Sequence, residues 1–451
     1  MGPKWEMARA ACPAQPHPAR LAKRQAALDN AEPMIVPEEQ RRFALAVAAR
    51  LREAGFTAYW AGGCVRDEIL GRRPKDFDVA TDATPEQIRD LFGRRRTLAI
   101  GAAFGVITVR GPREAGMIEV ATFRRDSTTS DGRRPDHVTF SSAREDAARR
   151  DFTINGLFYD PAQRQVIDFV GGQEDLARRV VRAIGPPRER FAEDKLRLLR
   201  AVRFAASLDF TLESETVAAL REMAGQITAV SPERIAMEMR RMLVEPGRGR
   251  GVGLLIDVGL AAAVLPEIVP RDAAGQERLD RAVAALERLR QPSFPLALAA
   301  LLERMVDPDG VRAIGLRWRL ANREIDRVAW LAEHREALAG ARQAPWSRLQ
   351  PLLITAGIGD LLALHEASRP EAAEEAAYCR DLLARPPEVL DPPPLLTGED
   401  LVAHGIPAGP VYKTLLERLR AAQLDGEIRT RQEALALADR LLRANGLDNR
   451  R

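Results

Sequence analysis

The sequence predicts an α+β head, with a small mixed or antiparallel sheet and flanking helices, followed by an elongated all-α neck, body and tail. Strand-like apolar runs such as Tyr59-Trp60-Ala61 and Met117 to Phe123 occur in the first part. From Ala183 onward they nearly vanish, and Leu-, Ala- and Arg-rich amphipathic segments continue to the end. Breakers at Glu245-Pro246-Gly247, Leu265-Pro266 and Arg369-Pro370, and a proline cluster from Arg385 to Pro394, divide that helical part. The expected limits are a disordered leader over 1–35, a head over 36–182, a neck over 183–246, a body over 247–385 and a tail over 386–451.

Each element follows from its residues. The leader is rich in Ala, Arg and Pro and has no apolar core of a signal peptide; a transit peptide and a misplaced start are its other readings. From Pro37 to Gly55, the spacing of Phe43, Leu45, Val47 and Leu51 predicts an amphipathic helix against the sheet. Tyr59-Trp60-Ala61 ends a buried strand, Gly62-Gly63 opens a turn, and Val65 to Leu70 forms the next helix. Glycine at a strand–helix junction lets backbone N–H groups approach a ligand, and the helix start favours phosphate. Gly63 is therefore a candidate phosphate contact, and Arg66, in the first turn, a two-point clamp on phosphate oxygens.

Asp76-Phe77-Asp78-Val79-Ala80 follows. A strand of period two places Asp76 and Asp78 on one face, where they repel each other unless a cation intervenes. Mg²⁺ commonly bridges carboxylates to substrate phosphates. Alone, a Gly-Gly pair is a turn and an Asp-x-Asp strand is a solvated edge. In this order, on one strand–helix–strand unit, they point to metal-dependent nucleotidyl transfer.

Thr84-Pro85-Glu86-Gln87 is a capping box that launches a helix to about Phe92. Gly105 to Arg110 and Met117 to Phe123 are strands joined by a GPREAG turn. Within the second, Glu119 is either a third carboxylate beside Asp76 and Asp78 or an ordinary exposed strand residue. Residues 124–137 are a charged loop. Ser231 and Pro232 stand as N-cap and first residue of a later helix.

Composition is permissive. The 451 residues are 46% hydrophobic and 29% charged, with a formal charge of +4, as in globular proteins. Cys12, Cys64 and Cys379 are far apart and lack metal or disulfide spacing, and the five histidines form no ligand cluster. No apolar run has transmembrane length. A reducing bacterial cytoplasm is the expected compartment, with no membrane and no obligate protein partner.

The segments GGCVRD, DFDVATDATPEQI and RRDFTINGLFYD, then FAEDKLRLLRAVRFAA and SPERIAMEMRRML, resemble the bacterial tRNA nucleotidyltransferase and poly(A) polymerase family (class II) of the DNA polymerase β-like superfamily. The resemblance covers residues 35–260 and returns over 395–435. It implies a nucleotidyltransferase head that uses Mg²⁺ on Asp76 and Asp78, with tRNA, CTP and ATP as partners. It implies that Arg150 contacts the nucleotide while Asp151 and Asn155 organise the sugar side. It makes loop 124–137 a specificity switch and gives the Gly405–Pro410 turn contact with the outer corner of tRNA.

Glu193-Asp194-Lys195-Leu196-Arg197 is the candidate selecting motif. On one helix, Asp194, Arg197, Arg200 and Arg203 would form a polar stripe, with Leu199, Val202 and Ala205 turned to the core. Asp194 accepts and Arg197 donates, so together they can read the base edge of cytosine or adenine. Arg200 and Arg203 would hold phosphates or the neck geometry, and Glu233 and Arg234 would brace the helix. A salt-bridged surface helix is the simpler alternative.

Within the enzyme class, CC-adding, A-adding and poly(A) polymerase activities are rivals. Ala99 to Gly105 departs from the basic stretch usual in poly(A) polymerases, and the retained loop departs from CC-adding enzymes. A catalytically silent nucleotide- or RNA-binding module is the rival from another class.

Overall fold

A computed structural model describes residues 35–126, 138–406 and 411–444. Leader residues 1–34, loop residues 127–137 and tail-turn residues 407–410 lie outside the described residues, so the expectations placed on them do too. The chain divides into two compact units, the first running to Leu176 and the second from Ala177.

In the first unit, Ala44, Val47, Ala48 and Leu51 bury one face of the helix Pro37–Glu53. Arg41 of this helix lies over the buried Trp60 ring, 5.1 Å from its centroid. The strands in chain order are β1 (Ala58–Ala61), β2 (Asp78–Thr81), β3 (Thr97–Leu98), β4 (Val106–Arg110), β5 (Met117–Thr122), β6 (Arg124–Asp126), β7 (Val138–Phe140), β8 (Phe158–Asp160) and β9 (Gln165–Ile167). Seven of them form one sheet in the order β3-β4-β5-β2-β1-β8-β9, while β6 and β7 pair separately. The sheet is mixed: β2 and β5 are parallel, and the other neighbours are antiparallel. Alternation along β5 buries Ile118, Val120 and Thr122 and exposes Met117 and Glu119. The expected capping box is present: Thr84 Oγ1 accepts from the Gln87 N–H, and Gln87 Oε1 accepts from the Thr84 N–H, starting the helix Pro85–Phe92.

The strand expected over Asp76 to Ala80 begins later, at Asp78. The β2 ladder begins where Asp78 pairs in register with Glu119. Asp76 lies two residues earlier in irregular, exposed chain.

In the second unit, among the described residues, only β10 (Val180–Val181) and β11 (Thr211–Leu212) pair, in parallel. The rest of its regular structure is helical. The helix Pro232–Val244 stops before Glu245, Ala261–Val264 before Leu265, and Ile358–Ser368 before Arg369. Between Arg385 and Pro394 only the one-turn helix Pro387–Leu390 survives. Leu401, Leu415, Leu419, Ala434 and Ala438 form the core of the C-terminal helices. No helix among the described residues is long and apolar enough to cross a membrane.

A second correction concerns the selecting stripe. Asp194 is not on the helix of its arginines. The helix Pro187–Glu193 ends before it, Asp194 is extended (φ −143°, ψ 102°), and the next helix runs Leu196–Leu208. Its carboxylate accepts from the Leu196 N–H at 3.1 Å, a capping bond that a residue inside the helix could not make.

Candidate active site

At the end of β1 the chain turns through Gly62, whose φ of +75° favours glycine and whose N–H donates to Leu157 O at 3.0 Å. The helix Gly63–Ile69 follows and carries Arg66. Arg66 Nη1 donates to Asn155 Oδ1 at 2.7 Å, and its Nε donates to Asp67 Oδ1 at 2.8 Å. Asn155 in turn donates to Asp151 Oδ1 at 3.1 Å, which also accepts from the Phe152 N–H. Asp151 and Asn155 therefore fix the orientation of Arg66. Thr153, in the turn between them, is tied to Asp175 by a bond of 2.7 Å.

Two carboxylates, those of Asp76 and Glu119, act on Asp78 at the start of β2. Burial, then the charges of Asp76 and Glu119, push the Asp78 carboxyl up to about 7, and Arg150 partly opposes them. Cys64 packs against this segment, and burial pushes its thiol up to about 12, so it stays neutral. Among the described residues, no three or more His, Cys, Asp and Glu side chains converge as a ready-made metal cage. Glu119 adds to the negative field at Asp78. Arg150 Nη1 donates to Asn155 O at 3.4 Å, and its guanidinium lies 5.1 Å from the centroid of Phe158. Gly63, Arg66, Asp76, Asp78 and Arg150 thus belong to one neighbourhood of the first unit.

The other candidates form a neighbourhood of the second unit. Asp194 Oδ2 accepts from Arg234 Nη2 at 3.0 Å. Arg197 Nη1 donates to Glu193 Oε2 and Arg190 O, both at 2.9 Å. Arg203 is buried and pairs with the buried Glu238 at 2.6 Å, while Arg200 is 3.8 Å from the same carboxylate. Arg234 braces Asp194 as expected, but Glu233 faces Arg319 instead, at 2.8 Å.

A family model described as the Poly A polymerase head domain matches residues 58–182, and one described as a probable RNA and SrmB-binding site of polymerase A matches 209–271. A CCA-adding enzyme of Geobacillus kaustophilus is 34% identical over 414 residues, covering 89% of this chain and 96% of that protein. The chain belongs to the CCA-adding enzyme and poly(A) polymerase head family. A CCA-adding enzyme of Levilactobacillus brevis is 32% identical, across 89% of this chain and 98% of its own length. The crystal structure of the Bacillus stearothermophilus CCA-adding enzyme in complex with CTP superposes with a TM-score of 0.73 at 28% identity, covering 90% of this chain and 98% of that one. The Thermotoga maritima CCA-adding enzyme complexed with tRNA shares the fold, with a TM-score of 0.62 at 22% identity.

For a nucleotidyltransferase of this family, the described chemistry is a local excess of negative charge beside two anchored guanidinium groups. Sequence reasoning missed two buried acids that hold arginines, one in each unit. Asp146 binds Arg149 and Arg150, and Glu238 binds Arg203. Asp146 was readable from its spacing, because Ser142 and Glu145 form a capping box that sets Asp146 three and four residues before the two arginines. Glu238 lies in the segment SPERIAMEMRRML, but its partner is remote in sequence and only the packing of two helices reveals it.

Proposed function

We propose that this nucleotidyltransferase builds or repairs the CCA end of tRNA in the cytoplasm, from CTP and ATP and without a nucleic-acid template. The observation that carries the chemistry is Asp78, whose carboxyl is pushed up to about 7 by burial and by Asp76 and Glu119. A carboxylate cluster with this charge excess suits a hard divalent cation, and two aspartates completed by substrate phosphates match the habit of Mg²⁺. Asp76 and Asp78 would hold the metal. The chemistry that two such ions would supply there is activation of the terminal 3′-hydroxyl and neutralisation of charge at the α-phosphate.

The protein's own groups supply binding and choice. The Gly62-Gly63 turn brings backbone N–H groups at a helix start toward the triphosphate. Arg66, oriented by Asn155, and Arg150 offer it positive charge. Asp194 and Arg197 select the base. Asp194 is held by Arg234 and by its capping bond, so its remaining lone pairs have a fixed direction for an exocyclic amine. Arg197, held by Glu193, donates to the ring nitrogen or carbonyl. The burial of Arg203 with Glu238 supports a bracing role, and Arg200, with 29% of its side chain exposed, is the better phosphate contact of the two. The CCA-adding relatives support tRNA as the acceptor.

The test is incubation with tRNA transcripts ending before CCA, after C and after CC, with labelled CTP or ATP. Completion of all three is expected. Addition only to the CC-ended transcript would identify an A-adding enzyme, and stalling after CC a CC-adding one. Long A tracts would identify a poly(A) polymerase, and no incorporation would leave a binding module.

A further inference from the structure

Asp146 is only 1% exposed, in the first turn of the helix Ala143–Ala148. Burial alone would raise its carboxyl, but Arg150 and Arg149 hold it below the usual range, so it is an anion. Its two oxygens serve different partners. Oδ1 accepts from Nε and Nη2 of Arg149, at 2.9 and 2.6 Å, and from the backbone N–H of Arg124 at 3.4 Å. Arg149 Nε also donates to Arg124 O at 3.1 Å, which fixes this side of the carboxylate to the start of β6. Oδ2 accepts from Nε and Nη2 of Arg150, at 3.1 and 3.0 Å.

The second grip decides where Arg150 stands. With its Nε–Nη2 edge held, its Nη1 corner lies against Gly62, where a Cβ would come within 2.8 Å of it. Only a glycine at that turn allows the guanidinium this close. A buried anion is itself unsuited to touch a phosphate, so whatever Asp146 contributes to substrate binding passes through the arginine.

We infer that Asp146 is a positioning residue for nucleotide binding: its Oδ2 holds Arg150 so that the Nη1 corner sits over the Gly62 turn and meets the incoming triphosphate. The inference rests on the nucleotide contact proposed for Arg150. An amide has one acceptor oxygen where a carboxylate has two. Asp146→Asn therefore cannot satisfy Arg149 and Arg150 together, while side-chain volume is kept.

The experiment is steady-state kinetics of the full chain on tRNA transcripts, with CTP and ATP varied separately. Asp146→Asn is expected to raise KM for both nucleotides about tenfold and leave kcat within about twofold, because a charge-assisted contact to the triphosphate is misplaced while the reacting atoms are untouched. In an Arg150→Ala background the same change is expected to add nothing to KM. An unchanged KM with kcat reduced in step with the folded fraction would mean a purely structural role and would overturn the inference. A full further rise in KM on Arg150→Ala would overturn it too. If Asp146→Asn does not fold, Asp146→Glu replaces it: the anion remains but the grip moves by one methylene, so KM should again rise, and an unchanged KM would overturn the inference. Wild-type protein that incorporates no nucleotide would defeat the functional proposal instead, a result distinct from all of these.

Discussion

At Asp78, burial and two like charges act in the same direction, which gives its substitution a sign that depends on pH. A carboxyl raised to about 7 in the folded chain, against an ordinary value near 3.8, stabilises the fold at low pH. That contribution is lost as pH rises from about 4 through 7, because the unfolded chain releases the proton first. Asp78→Asn should therefore abolish nucleotide addition yet make the metal-free protein more stable above pH 7, by about 1–3 kcal/mol, with the gain fading toward pH 4. Denaturant melts at pH 4 and pH 8 read it directly; a loss of stability at pH 8 would contradict the electrostatic account. Asp76→Ala and Asp78→Ala should leave tRNA binding largely intact by filter assay. Asp194→Ala has two effects to separate. It removes the Leu196 cap and the Arg234 ion pair, a destabilisation of about 1 kcal/mol. If Asp194 reads the base, the variant should also admit UTP or GTP while KM for CTP changes less. Unaltered rejection of UTP and GTP in competition assays would remove the templating role.

At the scale of elements, local chemistry was readable and pairing was not. The Thr84 box, the breakers at 245–247, 265–266 and 369–370, and the strand–turn–helix around Gly62 depend on neighbours within four residues, and each formed as expected. The start of β2 has a remote partner, Glu119 across a parallel ladder, and Asp194, besides its local cap to Leu196, is held by Arg234 forty residues away. Periodicity cannot see such partners, and by itself it runs the strand through Asp76 and the helix through Asp194. The same limit hid Glu238, which joins the helices Leu196–Leu208 and Pro232–Val244 through Arg203 while only 2% exposed. Burial alone lowers the tendency of Arg203 to hold its charge, and Glu238 opposes that loss. Glu238→Leu should then destabilise the second unit by about 3–5 kcal/mol, since it leaves a guanidinium buried without its counter-ion. Replacing Arg203 and Glu238 together with apolar residues should cost much less. Equal losses in the single and double variants, measured by urea unfolding, would show that the pair does not couple these helices.

At the scale of the whole chain, two compact units place the metal candidates in one and the base-selecting candidates in the other. That separation lets a ligand be assigned to a unit by calorimetry. A chain with two cores need not unfold in one step, and a ligand bound to only one native core raises the melting temperature of that core alone. If Asp76 and Asp78 hold Mg²⁺, the ion should raise the transition of the first unit and leave that of the second in place, by about 2.7 kcal/mol at a hundredfold excess over its dissociation constant. The effect should weaken as pH falls below about 7, where a proton on Asp78 competes with the metal. Asp78→Asn should remove most of the Mg²⁺ response, whereas Asp194→Ala should keep it in full. A Mg²⁺ response that survives in Asp78→Asn, or that appears in the transition of the second unit, would place the metal away from these aspartates and with it the chemistry assigned to them.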